Sequence, residues 1–269
     1  VSSPAQIWAH RPLIVNLARR DVAAKYKKSL LGRLWSLINP AATLGVYTLV
    51  FGVFLSVQAP VAGNGRTQIF ALYLFAGLVV WNCFSNTVLG CMNALEGSAP
   101  LLTKVYFPPE CPALAAAIGV FIQTMTELVI LFGIMAIVGN LSPWALLAPL
   151  IVIAVQAFAV GVGLILSVAN IRYRDVSYLV GIGLQVLFYC TPIVYPAESI
   201  PDQKFGLPLR SLFGLNPTYQ FVDAMRDVAY HLRAPTAGTL LYLVIVPTVV
   251  LVIAWVWFSR SAPQIIEEL

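Results

Sequence analysis

Arg19-Arg20-Asp21-Val22-Ala23-Ala24-Lys25-Tyr26-Lys27-Lys28 runs through Ser29-Leu30-Leu31-Gly32-Arg33 into Leu34-Trp35-Ser36-Leu37-Ile38-Asn39-Pro40. Within a few residues a dense basic segment gives way to a long apolar run. A chain that enters a bilayer from the cytoplasmic side has this pattern. Lys and Arg stay with anionic headgroups at the helix entrance, while the apolar residues go into hydrocarbon.

Composition agrees. The 269 residues are 59% hydrophobic and 10% charged, with a mean hydropathy of +0.85. A soluble domain carries roughly 25% charged residues, so a surface this poor in charge would not stay soluble. A net charge of +5 and a pI of 9.1 could suit nucleic acid, but the basic residues gather beside apolar runs rather than over a polar face. The expected partner is membrane lipid, with no nucleic acid.

Six segments are apolar enough, at about 20 residues, to span a bilayer: 34–57, 69–93, 113–138, 145–170, 177–195 and 239–258. The fifth passes narrowly. The second is the least clean, because Asn82, Ser85, Asn86 and Thr87 lie inside it. The chain is thus expected to be an all-α membrane protein. Residues 1–33 form a cytoplasmic amphipathic interface segment and residues 34–269 a six-span domain. With the N-terminus inside, the cytoplasmic side carries Arg11, Arg19, Arg20, Lys25, Lys27, Lys28, Arg33, Lys104, Arg172, Arg174 and Arg260. The outer side carries Arg66, Lys204, Arg210, Arg226 and Arg233. This bias puts both termini in the cytoplasm. The first apolar run starts late and is too long for a signal h-region, so no cleavable signal peptide is expected.

Before the first span, Ile14, Ala18, Val22, Tyr26 and Leu30 form an i, i+4 stripe with Leu13 and Leu17 beside it. This predicts a helix lying on the membrane, with Gly32 permitting a bend into span one. Cys83, Cys91, Cys111 and Cys190 are far apart, and His10 and His231 fall in opposite compartments. No metal site or cofactor is expected in this chain.

Two loops carry the organisation. On the cytoplasmic side, Pro100 and Pro108-Pro109 bracket a helix of at most two turns, within about 97–108. Leu101, Leu102, Val105 and Tyr106 are apolar there and point to a partner surface, unless they pack back onto the bundle. On the outer side, the segment at about 196–238 is too apolar for a tether. One short helix is expected at 205–215. A second starts at Asn216-Pro217, with Asn216 as N-cap and Pro217 at the first helical position. Two half-buried helices between spans five and six suggest a re-entrant hairpin dipping into the outer leaflet, rather than an amphipathic hairpin resting on it.

Several motifs give a more specific resemblance. Arg20-Asp21 with Tyr26-Lys27, Ser29, Leu31-Gly32, Leu34-Trp35 and Asn39-Pro40 resembles the leading segment of ABC-2 type permeases that export polysaccharides. So do Leu102-Thr103-Lys104-Val105-Tyr106-Phe107-Pro108, Phe188-Tyr189 with Pro192-Ile193 and Tyr195-Pro196, and Leu215-Asn216-Pro217. The family includes exporters of O-antigen, wall teichoic acid and mycobacterial galactan. The Ala/Val-rich, Lys-poor character is nearest to the galactan exporters. The resemblance implies a homodimer in the plasma (inner) membrane, paired with two copies of a separate ABC ATPase that binds ATP and Mg. The cargo would be a lipid-linked polysaccharide for cell wall biogenesis. The sequence itself has no Gly-x-x-x-x-Gly-Lys-Ser/Thr loop to cradle phosphates, and Gly63-Asn64-Gly65-Arg66-Thr67 is a polar outer turn. The chain is therefore expected to be a transport subunit, not an enzyme.

Aromatic faces suit sugars, because axial C–H groups pack on π clouds while hydroxyls stay wet. Candidates are Tyr47 and Phe51 on span one, Trp81 and Phe84 on span two, and Phe188 and Tyr189 on span five. The resemblance favours spans one and five, hence Tyr47, Phe51, Phe188 and Tyr189, as the substrate path. ATPase coupling is assigned to Leu101, Leu102, Lys104, Val105 and Tyr106, helped by Arg19, Arg20 and Lys27. The outer gate is assigned to Tyr195, Pro196, Phe213, Asn216, Pro217, Tyr219 and Phe221, with Phe213, Tyr219 and Phe221 as plugs. Glu127 lies mid-span in Gln123-Thr124-Met125-Thr126-Glu127. It is either the acid of a gradient-driven carrier or a neutral group hydrogen-bonded to Asn82 or Asn86. A membrane enzyme acting on lipid-linked sugars would draw on Glu198, Asp202, Asp223 and Asp227. However, Asp223 with Arg226 and Asp227 with His231 read as helix pairs.

Overall fold

Helix α4 (Phe70–Leu102) lies at the centre of the bundle and is one of two helices against which most of the others pack. It is reached through α1 (Pro4–Ala9), α2 (Arg11–Tyr26), α3 (Trp35–Tyr47) and a π-helical stretch, Thr48–Phe54, that continues α3. After it come α5 (Glu110–Ile137), a 3-10 turn at Pro143–Leu147, α6 (Ala148–Arg172) and α7 (Val176–Tyr189). The last helices are α8 (Leu209–Gly214), α9 (Pro217–Ala229) and α10 (Ala237–Glu268). This computed structural model describes residues 4–26, 35–102, 107–173, 175–199, 201–202 and 208–268. Among them every long element is a helix and there is no strand. Gly32 and the bend expected there, together with Lys27, Lys104, Val105 and Tyr106, lie outside the described residues, as do 205–207 of the helix expected at 205–215.

Four helices, α4, α5, α6 and α10, are long and apolar enough to cross a bilayer. The remaining two expected spans are shorter apolar helices. Helix α7 has 14 residues and so is only about 21 Å long. It stops at Tyr189, six residues before the predicted end. The reason is Pro192, which lacks an N–H and disfavours helical backbone in the residue before it.

The polar residues that made span two look unclean have a simple explanation. The first two-thirds of α4 is buried almost throughout, from Leu72 to Phe84 and on to Met92 and Leu95, with Asn82 half-buried and Asn86 exposed. Most of its side chains meet protein rather than lipid, so polar groups find partners. Ser85 Oγ donates to Trp81 O (2.9 Å), and Thr87 Oγ1 and Cys83 Sγ donate to Gln156 Oε1 of α6 (3.2 and 3.0 Å).

Close approach of α4, α6 and α10 depends on two glycines of α6. A Cβ at Gly163 would lie 2.6 Å from Cys91 Cβ and 3.1 Å from Val88 O. One at Gly161 would lie 3.1 Å from the Leu251 backbone. Small residues that let backbones meet are the main packing device between membrane helices.

The N-terminal stripe packs on protein. Ile14, Leu17 and Ala18 bury against Phe107, Cys111 and Ala115 at the start of α5. Pro100 does not begin a new helix, and residues 103–106 of the short helix expected before Pro108 lie outside the described residues. Helix α4 runs unbroken through Pro100 to Leu102. The missing Pro100 N–H removes one bond close to the helix end, while Leu101 packs onto the same apolar cluster as Ile14 and Phe107.

At the opposite end of the bundle from α2, three connections are stitched together. Asn140 Nδ2 donates to Ala229 O and Tyr230 O (3.2 and 3.0 Å), and its Oδ1 accepts from Asn64 N (3.2 Å). Tyr230 donates its hydroxyl to Pro60 O (2.9 Å). Burial pushes its phenol up to about 12, which keeps it a donor. The turn at 63–67 is the polar turn expected from sequence, with Gly65 at φ +69 and Gly63 pressed on the His231 carbonyl.

We predict that Gly163→Val lowers stability by about 1–3 kcal/mol, because overpacking forces α4 and α6 apart. Gly133, where an added Cβ would meet no atom within 4 Å, tolerates alanine. Thermal melts in detergent read both. A Gly163→Val protein as stable as wild type would contradict the packing.

Candidate functional site

The end of α7 is where the motifs converge. A helix terminus leaves its last carbonyls without intrahelical partners. Here Cys190 N and Thr191 take the carbonyls of Val186, Leu187 and Phe188, and side chains from further along the chain supply Tyr189 O and the turn beyond it. Tyr195 Oη donates to Tyr189 O (2.8 Å), and Asn216 Nδ2 donates to Cys190 O (3.4 Å) and to Thr191 Oγ1 (3.1 Å). Arg226 of α9 donates through Nη1 to Pro192 O and through Nη2 to Ile193 O, both at 2.6 Å.

Asn216 acts twice. Its Oδ1 accepts from Thr218 N (3.0 Å), capping α9 as its sequence predicts, and Pro217 fills the first helical position. The Thr218 and Thr191 hydroxyls meet at 2.8 Å. Arg226 is 2% exposed. Its guanidinium lies 3.8 Å over the Tyr73 ring of α4, and Gly77 leaves the room, since a Cβ there would come within 3.1 Å of Nη2.

A chain of aromatic rings starts at the same point. Phe51 meets Tyr47 (6.0 Å between centroids), and Tyr47 stacks on Phe188 (5.8 Å). Phe188 meets Tyr189 (5.2 Å) and the edge of Trp81 (5.4 Å). The rings continue through Phe84 and Phe158 to Phe221 (5.8, 5.7 and 5.6 Å). Tyr47, Phe51, Phe188 and Tyr189 are thus brought together. Tyr189 is 53% exposed, Tyr47 and Phe51 are half-buried, and Phe188 is buried. Beside them the π-helical stretch borders a 430 Å³ recess lined by Thr48, Gly52, Ser56, Gln58 and Gln68. π-Helical turns recur at functional sites.

The expected gate residues divide. Tyr195 and Asn216 cap α7. Pro196, Phe213, Pro217 and Tyr219 are half-buried. Phe221 is fully buried against Phe158 and belongs to the core. Among the coupling residues, Arg19 and Arg20 are exposed on α2, with Arg20 paired to Asp21 (3.0 Å). Leu101 packs inward. The Leu102 side chain lies outside the described part of the structure, like Lys104, Val105, Tyr106 and Lys27.

The expected pairs also differ. Asp227 accepts from Arg233 Nε (2.7 Å), while His231 faces the rings of Tyr73 and Tyr230. Burial raises the Asp227 carboxyl above its usual range, against the opposing pull of Arg233. Glu127 is buried and accepts from Gln123 Nε2 (3.2 Å), a neighbour on its own helix rather than Asn82 or Asn86.

Sequence reading missed Arg226, Tyr73, Gln156 and Phe158. The signal for Arg226 was available. Val222, Met225 and Ala229 form the buried stripe of α9, and helical spacing places Arg226 on that stripe.

The chain belongs to the ABC-2 type transporter family, whose match covers residues 12–230. It is 29% identical over 266 residues to the O-antigen export system permease protein RfbA of Myxococcus xanthus, covering 98% of each chain. It is 30% identical over 219 residues to the protein of the same name in Klebsiella pneumoniae, covering 80% of this chain and 79% of the relative. The polysialic acid transport protein KpsM of Escherichia coli is 24% identical over 217 residues, 77% of each.

Replacing Arg226 by Met leaves two buried carbonyls without donors, and we predict a loss of at least about 2 kcal/mol. Lys restores the charge but not the two-pronged planar contact, so it rescues only part. Thermal melts with limited proteolysis of segment 196–216 would read this. A Lys variant indistinguishable from wild type would mean that charge alone suffices.

Proposed function

We propose that this chain is the transmembrane subunit of an ATP-driven exporter that moves a lipid-linked polysaccharide, a galactan on the strength of its Ala/Val-rich, Lys-poor composition, from the cytoplasm across the plasma membrane. Family membership supports the transporter class, and the functions for which its relatives are named support the cargo class. The observation that carries the reading is the cluster of Tyr47, Phe51, Phe188 and Tyr189 at the end of α7, where half-exposed rings on two different helices adjoin. Individually weak ring–sugar contacts suit a polymer that must slide.

In this account six segments span. The α3–π-helix unit is one, and α7 is another, completed by the chain that returns as α8 and α9. Support for re-entry comes from where α9 lies. Its start touches the end of α7, beside Trp81, about 16 Å along α4 from Phe70. Its other end reaches Pro60 and Asn140. Phe213 and Tyr219 then close the outer mouth, and Phe221 fastens the hairpin to the core. The end that holds α2 faces the cytoplasm, in line with the clustering of basic residues there. Helix α7 buries only Phe188 and exposes Leu179, Ile182 and Val186. A second copy facing α3 and α7 would complete the path, giving a homodimer. Two copies of an ABC ATPase holding ATP and Mg supply the energy, received at α2 and the 102–106 segment.

Depleting this chain in cells should leave lipid-linked polymer on the cytoplasmic leaflet, measured by surface against total polymer. Tyr47→Ala with Tyr189→Ala should slow export without lowering the protein level. Unchanged surface polymer after depletion would sink the proposal. For coupling, Arg19→Glu with Arg20→Glu should reduce co-purification of the ATPase and its stimulated hydrolysis, while the melt of the permease stays put. Full retention of the ATPase would move the contact away from α2.

A further inference from the structure

An open groove of 470 Å³ lies between the α1–α2 pair and the bundle. Its walls are apolar: Ile14 on one side, Ile118 and Phe121 of α5, Ile153 of α6 and Leu251 of α10. The stretch from Leu114 to Phe121 runs about 10 Å along the helix axis. Gln156 also lines it, but its polar atoms are engaged elsewhere, with Nε2 donating to Ala117 O (2.6 Å) and Oε1 accepting from Cys83 and Thr87. Water would find nothing to bond there.

The rim differs from the walls. It carries Trp8, Trp255 and one cation, Arg11. Trp8 and Arg11 are exposed, the guanidinium lies 5.2 Å over the Trp8 ring, and no acid among the described residues pairs with it. An apolar slot of chain width, with an arginine that no described acid neutralises and two tryptophans at its mouth, matches one chemistry. It fits an acyl chain joined to a negative headgroup at membrane-interface depth.

We propose that this groove binds an anionic glycerophospholipid from the leaflet against which α2 lies, with its phosphate on Arg11 and one acyl chain between α5, α6 and α10. The lipid would tie the N-terminal helices to the bundle. The site needs only that the chain crosses a bilayer, whatever the cargo.

The test uses the full chain in phosphatidylcholine nanodiscs, with trace phosphatidylglycerol or phosphatidylcholine carrying a photoactivatable acyl chain, and adducts mapped by mass spectrometry. Phosphatidylglycerol should label the α5 and α10 peptides about fivefold more than phosphatidylcholine, the preference one surface cation confers. Arg11→Gln should remove that preference. Ala157→Phe, which fills the groove, should abolish labelling by both while the melting temperature holds. Equal labelling by the two probes, or labelling indifferent to Arg11→Gln, overturns the proposal and leaves ordinary annular lipid. Displacement by a polyprenyl-phosphate sugar but not by unlabelled phosphatidylglycerol also overturns it, assigning the groove to cargo.

Discussion

A helix that ends inside an apolar bundle must have its last carbonyls bonded by protein, because hydrocarbon offers no donors. Helix α7 meets this constraint, and much of the far half of the molecule is arranged around it. Its last carbonyl, Tyr189 O, accepts from the Tyr195 hydroxyl, and the carbonyls of the turn that follows, at Cys190, Pro192 and Ile193, accept from the Asn216 amide and the two arms of Arg226. Cys190 N and Thr191 close the last turn of α7 locally, whereas the donors from Asn216 and Arg226 come from far along the chain. Arg226 is more than thirty residues away in sequence, and it can be buried only because Tyr73 offers a ring face and Gly77 offers space. Releasing the 196–238 segment would therefore strip the end of α7 as well. That coupling ties the buried helix α9 to the end of α7.

The same junction organises the aromatic residues. Phe188 is the buried hub at the end of α7, in contact with Tyr47, Trp81 and Tyr189. Through Trp81, Phe84 and Phe158 it is mechanically continuous with Phe221 of α9. Any tilt of α7 must move rings on its exposed side and the helix that caps it together. A path wall and an outer closure built on one junction would open and close as one unit.

Much of this was legible in the sequence. Hydropathy located all six apolar helices, because a 20-residue apolar run has few other uses. The Asn216-Pro217 start of α9 was fixed by local chemistry, since both residues act within one turn. The four aromatics proposed for the path were chosen by family resemblance, not by spacing. What failed was long-range. Polar residues in span two reduced its apparent quality, although Ser85 and Thr87 find hydrogen-bond partners in a helix that is mostly buried. Pro100 looked like a boundary, but near the end of α4 its missing donor matters little, and packing of Leu101 carries the helix onward. Arg226 looked like half of a surface ion pair. Only the fold reveals that the carbonyls beside Pro192 lie opposite it.

The most direct test is the depth of α9 in a bilayer. Spin labels at Tyr219, Asp223 and His231, one at a time, with exposed Cys190 replaced by Ser, can be placed by their relative accessibility to oxygen and a water-soluble nickel chelate. Tyr219, near the start of α9, and His231, just past its end, should differ in depth by more than about 10 Å if α9 rises from the end of α7, with Tyr219 deepest and His231 at the surface. Equal, shallow depths at all three positions would mean that α9 lies flat on the membrane, and the account of a helix end sealed within the bundle by Arg226 would be wrong.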